Sequence, residues 1–291
     1  MTKNDFLCLL KEEVKGKDLF LGDKADLSLQ IIREKSAVAD GCAILQINNN
    51  YVLHLSPKEY PDEAVKAGDR AREIKTRLGA AGGPVLVPLA DGRFLGRSYT
   101  ISQRCTPLRS ANALGMLDRI KAGRTLFPWL RGLASSSEVA SPAFIDKCKD
   151  NATLLATCSK LSEPLKAAIA TYHERISGFS MRTIPMHGDL WLGNVMRLGG
   201  QIVVIDWGGG LLEGYPVFDL IRLAISLKLP MRKLRSEIAA HAESVGSAIS
   251  DLDIYLISCF AHIYANLHEF PELKFVEMVD RTWKKFKDAT G

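Results

Sequence analysis

The chain has 291 residues, of which 47% are hydrophobic and 24% are charged, and its formal net charge is +5. This composition excludes an intrinsically disordered chain and predicts a globular protein with one large core or two modest ones. Lysine and arginine are spread along the sequence without a long basic run, so we expect no nucleic-acid partner, while the mild positive charge favours an anionic ligand.

The sequence also lacks the marks of membrane insertion and of disulfide chemistry. No segment approaches the roughly 18 uninterrupted apolar residues of a membrane span, and the first residues lack the apolar core of a signal peptide. The six cysteines form no C-x-x-C pair and no zinc-like ladder, which indicates free, buried thiols in a reducing compartment. We therefore predict a cytoplasmic protein with no membrane partner.

The first hundred residues read as two helices and a small sheet. Apolar residues recur at helical spacing in residues 5–14, with Asn4 as the expected N-cap, and again in residues 63–78. Alternating and β-branched segments predict strands at 27–33, 42–47, 51–55, 85–88 and 93–103. The turn Asn48-Asn49-Asn50 joins the second and third of these strands as a hairpin. Five antiparallel strands are therefore expected.

From residue 111 onward the pattern is mostly helical. Helices are predicted at 112–133 with a break near Pro128, and at 144–158, 163–177, 217–229, 231–244 and 251–268. A polar stretch interrupts them, HGDLWLGN at 187–194, and Asp206-Trp207-Gly208 follows after an apolar segment.

This polar stretch carries the chemistry that the sequence predicts. A glycine-containing turn at 197–200 precedes the β-branched run 201–205, so a hairpin is expected to return Asp206 to the side of the 189–194 loop. Asn194 and Asp206 would then supply the oxygen ligands that Mg²⁺ prefers. Asp189 is left to orient a hydroxyl group and to accept its proton. The alternative is that these residues only cap turns and end a strand.

The spacing matches a known pattern. Protein kinases carry H-R-D-x-x-x-x-N followed by D-F-G, and this chain has H-G-D-x-x-x-x-N followed by D-W-G. With Gly188 in place of the arginine, the sequence resembles the aminoglycoside phosphotransferase family, which includes choline, homoserine and fructosamine kinases. The HGDLWLGN segment is most similar to fructosamine kinases. The resemblance implies an α+β, bilobal, protein kinase-like fold, with a five-stranded N-lobe and its helix in 1–105 and a larger helical C-lobe in 106–291.

The resemblance also implies which residues of the N-lobe meet a nucleotide's phosphates. The connection 34–41 would cover the phosphates, although it is poor in glycine. His54 stands where the family carries a lysine or an arginine for the α and β phosphates, with Lys58 as a possible substitute. Glu73 fits the helix glutamate that pairs with this basic residue, and the alternative is an exposed partner of Arg77.

Further roles follow from the same resemblance. Gln103 and Cys105 fall in the hinge, where backbone groups would meet the adenine. His187 would brace the catalytic loop without carrying a proton. Asp219 lies in a segment like the family's G-x-P-x-x-D-L turn and is expected to cap the next helix.

The leading interpretation is an ATP- and Mg²⁺-dependent kinase that transfers the γ-phosphoryl group to a hydroxyl of a small molecule. A sugar or sugar derivative is preferred as acceptor, because the stretch after Asp206 has only Glu213 as an acidic residue, whereas a polycationic aminoglycoside needs an acidic site. Alternatives are a kinase of choline-type or aminoglycoside-type amino alcohols, and a non-catalytic nucleotide-binding scaffold, which His54 and the glycine-poor loop favour. A protein kinase is disfavoured, because no Ala-Pro-Glu segment follows.

Overall fold

The computed structural model of the protein describes residues 2–17, 27–34, 41–109, 112–267 and 270–291. The chain divides into two compact units, Met1–Leu108 with Gly193–Gly210, and Arg109–Leu192 with Leu211–Gly291. The boundary expected at 105/106 lies just before Leu108, but the expected division left 193–210 in the second part. That segment groups with the first unit because its strands hydrogen-bond to strands of that unit.

The first unit is built on a five-stranded antiparallel sheet in the order β1-β2-β3-β5-β4, as the sequence predicted. The hairpin predicted around the turn at 197–200 forms, and it joins this unit in a smaller sheet in the order β10-β9-β6. The elements of the first unit are α1 (Lys3–Lys15), β1 (Leu29–Glu34), β2 (Ala43–Ile47), β3 (Tyr51–Leu55), α2 (Glu63–Leu78), β4 (Ala90–Phe94), β5 (Arg97–Gln103), β6 (Thr106–Pro107), β9 (Val195–Leu198) and β10 (Gln201–Val204).

Helix α1 packs on one face of the large sheet. Its Phe6, Leu10 and Val14 are buried in one cluster with Leu53 and other inward-facing strand residues. Burying each of these side chains stabilises the unit by about 1.5–3 kcal/mol. The N-cap is Thr2 and not the predicted Asn4. The side chains of Thr2 and Asp5 each accept a hydrogen bond from the other residue's backbone N–H, which forms a capping box.

The strand predicted at 85–88 is wrong. Within the segment, Val85 forms only an isolated bridge to Val204. Pro84 and Pro88 lie at its two ends and have no backbone N–H, so neither can donate a hydrogen bond to a neighbouring strand. The predicted strand 93–103 is instead a hairpin, since a turn at Leu95 and Gly96 separates β4 from β5. The sheet keeps five strands because β4 takes the edge position.

The second unit is mostly helical and includes a small sheet in the order β11-β8-β7. Its elements are α3 (Asn112–Ser135), β7 (Glu138–Val139), α4 (Pro142–Ala156), α5 (Glu163–Ala170), α6 (Tyr172–Ser177), β8 (Arg182–Met186), β11 (Leu211–Gly214), α7 (Phe218–Ser226), α8 (Met231–Val245), α9 (Leu252–Ala265) and α10 (Glu272–Thr290). Helix α10 was not predicted. The break expected near Pro128 is absent from α3, whose buried Leu126, Phe127 and Leu130 hold the helix against its neighbours on both sides of the proline.

Helix α9 lies at the centre of the second unit, and its first ten residues are all buried. Polar groups that are buried with it are paired. Ser258 meets the hydroxyl of Tyr172 at 2.6 Å, and Asp253 accepts hydrogen bonds from Arg175 at 2.6 and 3.0 Å. The pairing limits the cost of burying these groups and fixes how α6 and α9 pack.

Neither a disulfide nor a long apolar helix occurs in the described part of the chain. All six cysteines are free thiols, and Cys148, Cys158 and Cys259 are buried. Among the described residues, no single helix is long and apolar enough to cross a membrane, although the bent pair 231–245 and 249–265 meets that test by length and composition alone.

Candidate active site

In the second unit, the HGDLWLGN loop begins where strand β8 ends, and a buried carboxylate holds its backbone. The N–H of His187 donates to Asp219 Oδ2 at 2.6 Å, and the N–H of Gly188 donates to Asp219 Oδ1 at 3.2 Å. The backbone N–H of Leu190 also interacts with this carboxylate. Asp219 therefore positions the loop on both sides of Asp189.

Asp219 does not cap helix α7 as the sequence suggested. Residue Val217 occupies the N-cap position, and Asp219 lies inside the first turn with only 6% of its surface exposed. Complete burial raises the pKa of the Asp219 carboxyl group, while the neighbouring His187 and the backbone N–H groups act in the opposite direction. Its role in the structure is to accept hydrogen bonds from the loop.

The start of the loop depends on a glycine and a buried histidine. Gly188 has φ +80°, a left-handed conformation that suits glycine and costs other residues energy. His187 is buried, and its Nδ1 accepts a hydrogen bond from the N–H of Asp189 at 3.2 Å. The arrangement agrees with the bracing role inferred for His187, and it explains why Gly188 fits where protein kinases carry arginine.

The carboxylate of Asp189 is half-exposed and meets two side-chain donors. Trp191 Nε1 donates to Oδ2 at 3.2 Å, and Arg222 Nη2 donates to Oδ1 at 3.0 Å. Arg222 Nε is buried and has no hydrogen-bond partner among the described residues. Two protein side chains thus orient the Asp189 carboxylate, and one of them is a guanidinium group.

Helix α7 supplies three of the polar side chains that contact the loop, and all three lie on one face of the helix. Ser226 lies on the same face as Asp219 and Arg222. Its hydroxyl accepts a hydrogen bond from the N–H of Leu192 at 3.1 Å. Sequence reasoning missed Arg222 and Ser226. Their signal was present, because three polar residues at helical spacing interrupt the otherwise apolar segment FDLIRLAIS and must share a helix face.

A buried histidine supports the turn that leads into α7. Val217 has φ +82°, which is strained for a β-branched residue, and its N–H donates to His241 Nε2 at 3.3 Å. Burial, and then the nearby Arg131 cation, lower the pKa of His241 to about 4. The ring is therefore neutral near pH 7 and accepts this hydrogen bond, while its Nδ1 is buried without a partner among the described residues.

In the first unit, the β9–β10 hairpin brings the backbone of the two predicted metal ligands together. The N–H of Ile205, the residue before Asp206, donates to the carbonyl oxygen of Asn194 at 3.0 Å. Asn194 is buried, whereas Asp206 is exposed and has a left-handed backbone with φ 64°. The carboxylate of Asp206 makes no hydrogen bond to the described residues, so it is available to a cation.

This donor set fits Mg²⁺ better than a metal held by protein alone. Within the described residues, no group of three or more His, Cys, Asp or Glu side chains is placed to hold a metal ion. Mg²⁺ is usually held by one or two carboxylates together with substrate phosphates and water, so one carboxylate and one amide oxygen suffice when a nucleotide is present.

Helix α2 contacts the turn after Asp206 through two residues to which the sequence analysis gave no role. Arg70 donates to the carbonyl oxygen of Gly208, and Ile74 lies against Gly210, where an added Cβ would come within 3.2 Å. Glu73 is exposed and forms no ion pair with the described residues. The expected pair between Glu73 and His54 is therefore absent, and Arg70 is the α2 residue that sequence reasoning missed.

His54 lies on β3 between Ile44 and Thr100 of the neighbouring strands. Leu53 and Leu55 point into the α1 core, so alternation places His54 on the opposite face, as predicted. An added Cβ at Gly68 of α2 would lie 3.2 Å from Thr100 Cγ2, so α2 packs on that face. His54 is half-buried and has no hydrogen bond to the described residues. Of the predicted phosphate-covering loop 34–41, residues 35–40 lie outside the described residues.

The two predicted hinge residues lie at the end of β5. Gln103 pairs with Tyr51 and is exposed, and its carbonyl oxygen accepts a weak hydrogen bond from the thiol of Cys105 at 3.6 Å. Burial raises the pKa of Cys105 to about 11, so this thiol stays protonated. Strand β6 then pairs Thr106 with Arg197 of the hairpin. Lys58 lies beyond the end of β3 and is exposed.

A comparison of the sequence with protein-family models finds a match. The model of the phosphotransferase enzyme family (APH) matches residues 43–253, which span parts of both units. A sequence search of curated proteins finds no match.

Solved structures share the fold at low identity. A thermostable mutant of aminoglycoside phosphotransferase APH(4)-Ia, in complex with ADP and hygromycin B, superposes with a TM-score of 0.61 at 16% identity, over 92% of this chain and 95% of that one. Choline kinase LicA from Streptococcus pneumoniae gives 0.59 at 13%, over 97% and 98%. The GDP complex of aminoglycoside 2'-phosphotransferase-IIIa gives 0.55 at 13%, over 100% and 99%. The predicted α+β, kinase-like fold class is confirmed.

Proposed function

The chain belongs to the phosphotransferase enzyme family. On this basis we propose that it is an ATP- and Mg²⁺-dependent kinase of a sugar or sugar derivative. The reaction would transfer the γ-phosphoryl group to a hydroxyl of the acceptor. The observation that carries this proposal is the loop that holds Asp189, which Asp219, His187 and helix α7 fix in place.

In the proposed reaction Asp189 orients the acceptor hydroxyl and accepts its proton. Phosphoryl transfer depends on positioning and electrostatic stabilisation, so a carboxylate of fixed orientation is what the acceptor side requires. Asn194 and Asp206 would hold Mg²⁺, which neutralises charge on the phosphates. His54 would donate a hydrogen bond to the phosphates in place of a fixed cation, and the backbone near Gln103 and Cys105 would meet the adenine.

The acceptor class follows from the charge beside Asp189. The guanidinium group of Arg222 lies 3.0 Å from the Asp189 carboxylate and offsets its charge, so this pair offers little net negative charge to attract a polycationic acceptor. The same group can donate hydrogen bonds to neutral hydroxyls or to an anionic substituent. Arg222 therefore supports a sugar or sugar derivative over an aminoglycoside, and the exposed ring of Trp191 offers an apolar face to a sugar.

A coupled ADP-release screen tests the proposal. Wild-type protein is assayed with ATP or GTP over sugars, amino alcohols and aminoglycosides, with Asp189→Asn as the matched inactive control. We expect acceptor-dependent release with a sugar or sugar derivative. Release with choline-type or aminoglycoside acceptors alone would overturn the acceptor class, and nucleotide binding without release on any acceptor would favour the scaffold.

A further inference from the structure

A basic groove lies between helices α7 and α10 of the second unit. Its volume is about 410 Å³, and its charged lining consists of Lys228, Arg281, Lys284, Lys285 and Asp288. Concave sites of about 300–1,000 Å³ are typical of small-molecule ligands. The groove uses none of the residues assigned to phosphoryl transfer.

The lining of this groove carries more positive than negative charge. The only carboxylate of the lining, Asp288, already pairs with Lys284 at 2.8 Å. Lys228, Arg281 and Lys285 form no ion pair with the described residues, and Lys285 is half-buried. Cations that converge on one concavity repel one another and raise its positive potential. An anion that enters the groove would relieve this repulsion.

The backbone at Lys228 has a conformation that is unusual for a lysine. Lys228 follows the C-cap of α7 and has φ +54°, a left-handed conformation in which glycine is favoured. The N–H of Lys228 donates to Ile225 at 3.1 Å, and the N–H of Leu229 donates to Ala224 at 2.9 Å, so the turn closes the helix in the way glycine usually does. A lysine at this position carries strain that glycine would avoid, and its side chain lines the groove.

We propose that this groove binds a phosphate group of a small molecule. Arginine and lysine donors form strong, charge-assisted hydrogen bonds to phosphate oxygens, and the groove is lined by Lys228 from the turn after α7 and by Arg281 and Lys285 from α10. The apolar residues of α7 between them suit the uncharged part of such a ligand. The proposal does not depend on the kinase reaction, because binding is measured without nucleotide.

Calorimetric titration with inorganic phosphate at constant ionic strength tests the site. We expect wild-type protein to bind phosphate and Arg281→Gln/Lys285→Gln to bind at least about tenfold more weakly. Lys228→Gly should also weaken binding while raising the melting temperature, since glycine relieves the strained turn. The matched control is Lys147→Gln/Lys166→Gln, which removes the same charge from positions of α4 and α5 outside the groove and should bind like the wild type.

Two outcomes would overturn the site. One is the absence of phosphate binding to the wild-type protein. The other is equal affinity in the wild type, the groove variants and the control, which would place the bound phosphate elsewhere, including the nucleotide site.

Discussion

The loop that carries Asp189 and the turn that carries Asp206 are held in different ways. In the second unit, Asp189 meets Trp191 and Arg222, and its backbone is fixed by buried groups. In the first unit, Asp206 and His54 have no hydrogen bonds between their side chains and the described residues, and Glu73 has no ion pair. The comparison shows that protein contacts orient Asp189, whereas we expect Asp206 and His54 to take their polar partners from a bound nucleotide and its metal.

The largest effect on turnover is expected from a change at Asp189, which we propose as the proton acceptor. Asp189→Asn keeps the shape of the side chain but removes the proton acceptor, so turnover should fall by at least about a hundredfold. Steady-state kinetics with the acceptor found by the screen measure this. Asp146→Asn, an exposed position on α4, serves as the control and should keep wild-type turnover. Equal turnover in both variants would remove Asp189 from the reaction.

The next effect concerns the anchor of that loop. Asp219→Ala leaves the backbone N–H groups of His187 and Gly188 without their acceptor, so unfolding should become easier by about 3 kcal/mol, and turnover should fall as well. Asp253→Ala is the matched control, because Asp253 is equally buried but pairs with Arg175, away from the loop.

Both variants should lose stability in urea unfolding, but only Asp219→Ala should lose turnover, measured well below both melting temperatures. A loss of turnover that is equal in the two variants would mean that Asp219 acts only through general stability. Asp219→Asn, which retains one acceptor oxygen, should fall between the wild type and Asp219→Ala.

A smaller effect is expected from the histidine behind the α7 turn. His241 has a pKa of about 4 in the fold against 6.5 in the unfolded chain, so the unfolded state binds more protons between these values. The stability that the neutral ring contributes is complete above pH 6.5 and is lost as the pH falls toward 4. Urea unfolding at pH 7.5 and pH 5 should show a decrease of about 2 kcal/mol that depends on this residue.

His241→Gln keeps an acceptor for the N–H of Val217 and does not titrate, so its stability should change less between the two pH values. His173→Gln, an exposed position, should keep the full wild-type dependence. If both variants showed the same pH dependence as the wild type, His241 would not be the group that titrates.

The smallest effect is expected on ATP affinity, from changes at His54 in the first unit. His54→Ala should weaken ATP binding by roughly 1–2 kcal/mol if a charge-assisted hydrogen bond is lost. His54→Lys should retain or tighten binding, because it restores a fixed cation. Calorimetric ATP titrations measure both, with Lys58→Ala as the comparison. Loss of affinity only on the Lys58 change would assign the phosphates to Lys58.

Local patterns in the sequence predicted much of this fold. The alternation of β3 placed His54 on the face away from the α1 core, and the turn at 197–200 predicted the hairpin between Asn194 and Asp206. Both depend on residues close together in the chain. The extra strand at 85–88 was an error because its apolar residues fit a strand while its prolines limit pairing to one bridge.

Contacts between distant residues could not be predicted in this way. Asp219 meets His187 across 32 positions of the chain, and Arg222 meets Asp189 across 33, so both contacts exist only once the helices have packed. The helix face shared by Asp219, Arg222 and Ser226 was visible in the sequence, but its partner was not. Arg70 was missed for the same reason, since Gly208 lies 138 positions away.

ATP titrations with and without Mg²⁺ test the central contrast most directly, in the wild type, Asp189→Asn and Asp206→Ala. Asp206→Ala removes the principal anionic ligand of the metal, and Asn194→Ala should have a smaller effect because it removes a neutral ligand. We predict that Asp189→Asn keeps the Mg²⁺-dependent affinity of the wild type and that Asp206→Ala loses it. An affinity in Asp206→Ala that equals that of the wild type, or an equal loss in both variants, would contradict the separation between the two regions.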